Sequence, residues 1–143
     1  MSVKQISVFI ENRPGTLMEL SKALSDKGID MRAFSLAEAQ DFGIARIIVR
    51  DVEEATEVLK KAGYVSSLSE VVAVAVPDVS GGLFKILSYI TEANVNVEYL
   101  YCFLGGRSGR AYMICKVADV EAAEASLKKH GARLADQNEL SQL

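Results

Sequence analysis

The chain has 143 residues, half of them hydrophobic, and a formal net charge of −3. An acidic balance argues against nucleic acid or an anionic membrane as the main partner, because both demand a basic face. No apolar run is long enough to span a bilayer and residues 1–5 carry no signal-peptide core, so a cytoplasmic protein is expected.

Residues 5–10 alternate polar and apolar, with Ile6, Val8 and Ile10 on one side, as a half-buried strand does. Arg13-Pro14-Gly15 breaks the strand. Thr16 then opens a helix carrying Leu17, Leu20, Ala23 and Leu24 at helical spacing, with Gly28 as its stop. Residues 29–37 and 44–50 read as two further strands, joined through Asp41-Phe42-Gly43. Asp51 with Glu54 starts a second helix, Lys60-Lys61 suit its C-terminal dipole, and Gly63 closes it.

The plan then repeats. Residues 71–76 form a strand, 77–82 a loop and 83–93 a helix ending at Asn94. Strands follow at 95–104 and 111–117 around a turn at 105–109, and a helix at 119–130 is stopped by Gly131. Short strands are expected after each second helix, at 65–68 and 132–134. Leu17 matches Leu83 at an offset of 66, which also pairs Val8 with Val74, Gly15 with Gly81 and Ile29 with Val95. Past the central hairpin the offset becomes 68, pairing Asp51 with Asp119, Leu59 with Leu127 and Gly63 with Gly131. A repeat this long is a duplicated domain rather than a solenoid unit. The fold class is therefore α+β, two ferredoxin-like βαββαβ repeats at 1–69 and 70–143, with an antiparallel sheet and helices on one face.

Enzyme chemistry finds little support. His130 is the sole histidine and sits at a helix end beside Lys128-Lys129, where a cation suits the dipole. Cys102 and Cys115 fit no metal spacing and are expected as reduced thiols packed like small apolar residues. No catalytic residue, metal or cofactor is assigned. Gly105-Gly106-Arg107-Ser108-Gly109 joins two strands and lacks the ending of a phosphate loop, so it reads as a hairpin tip. Tyr99, Tyr101 and Phe103 alternate along one strand and are expected in a core or interface.

The loop from Ile10 through Glu11, Asn12, Arg13, Pro14, Gly15 and Thr16 to Leu17 differs from these. It leads into a helix N-terminus, whose free N–H groups and dipole suit a carboxylate. Gly15 lets the backbone approach a ligand, Pro14 stiffens the turn, and Asn12 can both donate and accept hydrogen bonds. An ordinary turn into a helix remains the competing reading.

These residues, with Leu20, Leu24 and Gly28-Ile29-Asp30-Met31 behind them, resemble the ACT domain, the βαββαβ regulatory module of amino-acid enzymes. The resemblance covers the chain as two tandem repeats with no enzyme attached. It implies two domains pairing side by side into a continuous sheet, with a free amino acid bound between the first loop of one and the second-strand start of the other. Carried over by position, the Asn12 loop faces Asn96, Val97 and Glu98, while Asp78, Gly81, Gly82 and Leu83 face Asp30 and Met31. The second loop departs from the pattern, with aspartate at position 78 for the asparagine and no proline before Gly81. An aspartate there repels a carboxylate, which makes the first loop the stronger site.

The expected function is a non-catalytic amino-acid sensor, assembling as a homodimer and acting on a regulated enzyme. A structural dimerisation module without a ligand is the alternative. An acylphosphatase-type enzyme would depend on Arg13 alone, without that family's glycine pattern. An RNA-binding module would need aromatic residues on the 44–50 strand, which has none.

Overall fold

The computed structural model describes residues 2–104 and 110–142. The glycine-rich segment 105–109, expected as a hairpin tip, lies outside them. The chain divides into two compact units, residues 4–69 and residues 70–143, the latter taking in the first three residues as well.

The unit of residues 4–69 builds β1 (Val3–Glu11), α1 (Thr16–Ser25), β2 (Met31–Ala39), β3 (Phe42–Val49) and α2 (Val52–Lys61). Its strands run antiparallel in the order β2-β3-β1, with Ile47 opposite both Ile6 and Phe34. Alternation places Ile6, Val8 and Ile10 beside Ala45, Ile47 and Val49 on one face, where Leu20, Leu24, Ala55 and Leu59 of the two helices cover them. Each isoleucine, leucine or valine side chain so removed from water contributes about 1.5–3 kcal/mol. The helices lie on this face because their apolar residues recur at i, i+3/i+4.

The unit of residues 70–143 repeats the design with β4 (Val65–Pro77), α3 (Gly82–Glu92), β5 (Val97–Leu104), β6 (Arg110–Val117) and α4 (Val120–Lys129). It adds β7 (Leu134–Ala135) and a short α5 (Gln137–Ser141). β6 lies between β5 and β4, and β7 pairs with β4 through Ala73–Ala135 and Val74–Leu134. Its core sets Val72, Val74, Val76, Met113, Cys115 and Val117 against Ile86, Ile90, Ala123 and Leu127. Tyr99 and Tyr101 pair with Lys116 and Ile114, on the sheet face away from the helices.

The structure departs from the sequence expectation at four places. β4 is one strand of 13 residues where two were expected, because no glycine or proline interrupts residues 65–76. The β2–β3 turn is Gln40-Asp41, with Gln40 at φ +56; Gly43 belongs to β3 and packs under Leu36. α5 was not anticipated, although Asp136 caps it through the Glu139 N–H (2.8 Å) and Leu140 is fully buried. Finally, β2 and β5 each carry one extra residue against their partner, at Arg32 and Glu98, a bulge at the same position of both repeats.

Candidate ligand-binding loops

The β1–α1 loop is held by its own side chains and by the β2–β3 turn. Asn12 receives the hairpin tip of β2–β3: its N–H donates to the Asp41 carbonyl (3.0 Å) and its Nδ2 to the Gln40 carbonyl (2.9 Å). Arg13 Nε donates to Glu11 Oε2 at 2.6 Å, and this bond raises the guanidinium pKa. The Thr16 hydroxyl is shared between the Glu11 carbonyl (2.6 Å) and the Arg13 carbonyl (3.0 Å). Gly15 enters the helix at φ +90, a left-handed conformation that side chains resist, with open space above it.

Gly15 cannot cap the helix. The Thr16 N–H turns back to Arg13 (3.4 Å) and the Glu19 N–H begins the regular pattern at Gly15, so the N–H groups of Leu17 and Met18 lack intrahelical acceptors. α3 begins in the same way: Gly81 lies at φ +82, Gly82 N–H reaches Val79, and Lys85 N–H reaches Gly81. The N–H groups of Leu83 and Phe84 are the ones left over. By contrast, α2, α4 and α5 are each capped by an aspartate side chain, Asp51, Asp119 and Asp136.

The two loops differ in tightness. Gly82 occupies the position of Thr16, and a Cβ there would stand 2.2 Å from the Pro77 carbonyl oxygen. Where the first loop inserts the Thr16 side chain, the second brings backbone directly against backbone. Val79 N–H also bonds the same Pro77 carbonyl at 2.8 Å. Asp78 lies exposed at the start of this tighter turn.

The second-strand residues occupy the other end of each sheet. Glu11 opposes Phe42 at the loop end, whereas Met31 opposes Val49. Pro77 opposes Arg110, whereas Val97 opposes Val117. Each unit thus keeps its own loop and its own strand start apart. Asp30 pairs with Arg32 (2.9 Å) and Glu98 with Lys116 (3.2 Å), while the Asn96 carbonyl accepts from Ala118 N–H (3.1 Å). Ile10 is buried in the core of its unit, and Leu17, Met31 and Val97 pack partly buried against theirs.

A cleft of about 620 Å³ opens beside the second loop. Pro77, Asp78, Val79 and Gly82 line it from the loop, Lys85, Ile86 and Tyr89 from α3, and residues 130–133 from the α4–β7 connection. His130 stacks on Tyr89, with ring centroids 4.2 Å apart and planes 3° from parallel, and its Nε2 lies 2.5 Å from Glu92 Oε2. The hydrogen bond from His130, and then that from Lys129, holds the Glu92 carboxyl below the usual carboxylate range. Lys85, Tyr89 and Arg133 were passed over in the sequence, and only comparison of the two repeats residue by residue would have drawn them out. Among the described residues, no group of three His, Cys, Asp or Glu side chains could hold a metal ion. No helix of the described residues is long and apolar enough to cross a membrane.

Two antiparallel βαββαβ units, each with an uncapped glycine entry to its first helix, define a duplicated ferredoxin-like protein. The chain belongs to the ACT domain pair family, whose model it matches over residues 1–143, and an ACT pair is a regulatory type of domain. It is similar to protein BT0572 from Bacteroides thetaiotaomicron, at 31% identity over 100% of this chain and 98% of that one, with a TM-score of 0.93. It also resembles the ligand-free regulatory subunit of aspartate kinase from Thermus thermophilus, at 18% identity over 90% of each chain and a TM-score of 0.66. The corresponding subunit from Thermus flavus is 19% identical over 87% of this chain and 88% of that one, with a TM-score of 0.64. At such identities the likeness to the kinase subunits is one of fold. No curated protein sequence matches significantly.

Proposed function

We propose that this ACT pair is a non-catalytic regulatory protein that binds a free amino acid, with the ligand's carboxylate at the β1–α1 loop. One observation carries the reading: the helices behind the two candidate loops are the ones without a side-chain cap, while α2, α4 and α5 have theirs. A ligand carboxylate at Leu17 and Met18 would supply the missing acceptor and meet the positive end of the helix dipole.

Because loop and strand start lie at opposite ends of each sheet, a site using both takes them from different repeats, in one chain or in two copies. Ile10, Glu11, Asn12, Arg13, Pro14, Gly15, Thr16 and Leu17 then pair with Asn96, Val97 and Glu98. Asp78, Gly81, Gly82 and Leu83 pair with Asp30 and Met31. The tighter second loop, with Asp78 on its rim, is the weaker carboxylate seat. Ligand binding regulates by favouring one state of the assembly, and a regulated enzyme or a second copy reads that state; the effect is limited to the ligand's preference between states.

Isothermal titration against the twenty free amino acids tests this. One ligand should saturate, and Asn12→Ala and Asn96→Ala should each weaken it about tenfold, or 1.4 kcal/mol, without changing the melting curve by more than their own destabilisation. Silence of every amino acid at millimolar concentration would overturn the proposal.

A further inference from the structure

The residues that line the cleft beside the second loop have counterparts by position in the first repeat. Backbone bonding proves the correspondence: Tyr64 N–H bonds Leu59 (3.0 Å) as Ala132 N–H bonds Leu127 (2.9 Å), and Glu19 N–H bonds Gly15 as Lys85 N–H bonds Gly81. Tyr64 packs partly buried against the core of its unit, near enough to Glu19 to feel its charge. In the second repeat that tyrosine is Ala132, which lines the cleft, and Ala23 becomes Tyr89 on its opposite wall. The rim changes as well, with Glu19 replaced by Lys85, Val65 by Arg133 and Ala62 by His130. Against these gains Asn12 gives way to Asp78 and Arg13 to Val79, while Glu11 gives way to Pro77, so the lining as a whole moves by two units toward positive charge.

These cations are available. Among the described residues no carboxylate lies within ion-pair distance of Lys85. Arg133 reaches Glu139 only at 4.0 Å, between exposed side chains, a contact that is easily exchanged for a ligand. Asp78 is the opposing charge on the cleft wall, and Glu92 is occupied by His130 and Lys129. Ile86, Ala132 and Tyr89 give the same cleft an apolar lining, and the Tyr89 ring stacks on His130. A few convergent polar groups around an apolar concavity are what a small-molecule site requires.

We propose that the cleft between α3 and the α4–β7 connection binds a small organic anion, its phosphate or carboxylate between Lys85 and Arg133 and its apolar body against Tyr89 and Ala132. The cleft shares Asp78 and Gly82 with the second candidate amino-acid loop but uses neither Asn12 nor the first loop.

The test is an NMR titration of the full chain, ¹⁵N-labelled, with phenyl phosphate and with benzoate, and with inorganic phosphate as the probe lacking an apolar body. At least one of the two organic anions should shift the Ile86, Tyr89 and Ala132 amides saturably, about tenfold more tightly than inorganic phosphate. Ala132→Tyr, which restores the first repeat's residue, should abolish the response, and Lys85→Glu with Arg133→Val should weaken it at least about tenfold. Asn12→Ala should leave it unchanged, which separates this site from the amino-acid site. Absence of a saturable shift with both organic anions at millimolar concentration overturns the proposal, as does full affinity in folded Ala132→Tyr. Should that variant not fold, unaltered binding by the Lys85/Arg133 double variant overturns it.

Discussion

Gly15 and Gly82 need glycine for different reasons, and their substitution should show it. At Gly15 the backbone is left-handed but a Cβ would touch nothing, so Gly15→Ala costs strain alone, about 1–2 kcal/mol. At Gly82 a Cβ would collide with the Pro77 carbonyl, which is backbone and already accepts from Val79, so the loop itself must move. Urea denaturation should give Gly82→Ala the larger loss, about 3 kcal/mol. Equal losses would mean that the two loops are alike in tightness. Asn12 was read as a donor and acceptor for a ligand, and the structure adds that its amide holds the β2–β3 turn through Gln40. That partner is 28 residues away and invisible to local pattern.

At the scale of elements, the capping aspartates show how local chemistry sets boundaries. Asp51 accepts from Glu54 N–H at 2.9 Å and Asp119 from Ala122 N–H at 3.0 Å, as the duplicated Asp-Val-Glu pattern suggests. Asp51→Ala and Asp119→Ala should each cost about 1 kcal/mol in chemical denaturation. Asp136→Ala should act locally instead: α5 has five residues and Asp136 supplies its side-chain cap, so hydrogen exchange at Leu140 should quicken with little change in global stability. Unchanged exchange there would show that burial of Leu140 alone holds the helix. The strand bulges at Arg32 and Glu98 escaped notice because strict alternation runs through both positions in the sequence. Only pairing with β3 and β6 exposes the extra residue.

For the molecule as a whole, the thiol in the second core sets an alkaline limit. Cys115 is fully buried, and that burial pushes its pKa from 9.0 up to about 11. A raised folded-state pKa gives a contribution that is complete below the unfolded value and lost as pH climbs through the folded one. Stability should therefore fall by about 2–3 kcal/mol from this group as pH rises from 9 through about 11. Cys115→Ala starts lower, because it leaves a cavity, and lacks this loss. The gap between the two urea midpoints should narrow over that interval, and a constant gap would refute the burial argument. The Cys102 thiol pKa is raised as well, by desolvation.

Much of this protein is determined by residues close together in the chain. Two-residue alternation chose the sheet faces, Asp51 and Asp119 placed the second helices, and the recurrence of Gly15 at Gly81 marked both loops, because dihedral preference, capping and periodicity act over a few residues. Tertiary structure decided what no short window contains. It tied Asn12 to Gln40, joined residues 65–77 into one strand, and stacked His130 on Tyr89. It also brought Lys85, Tyr89, Ala132 and Arg133 to the lining of one cleft. Those features arise where segments far apart in sequence are packed to van der Waals contact, which no local preference can specify.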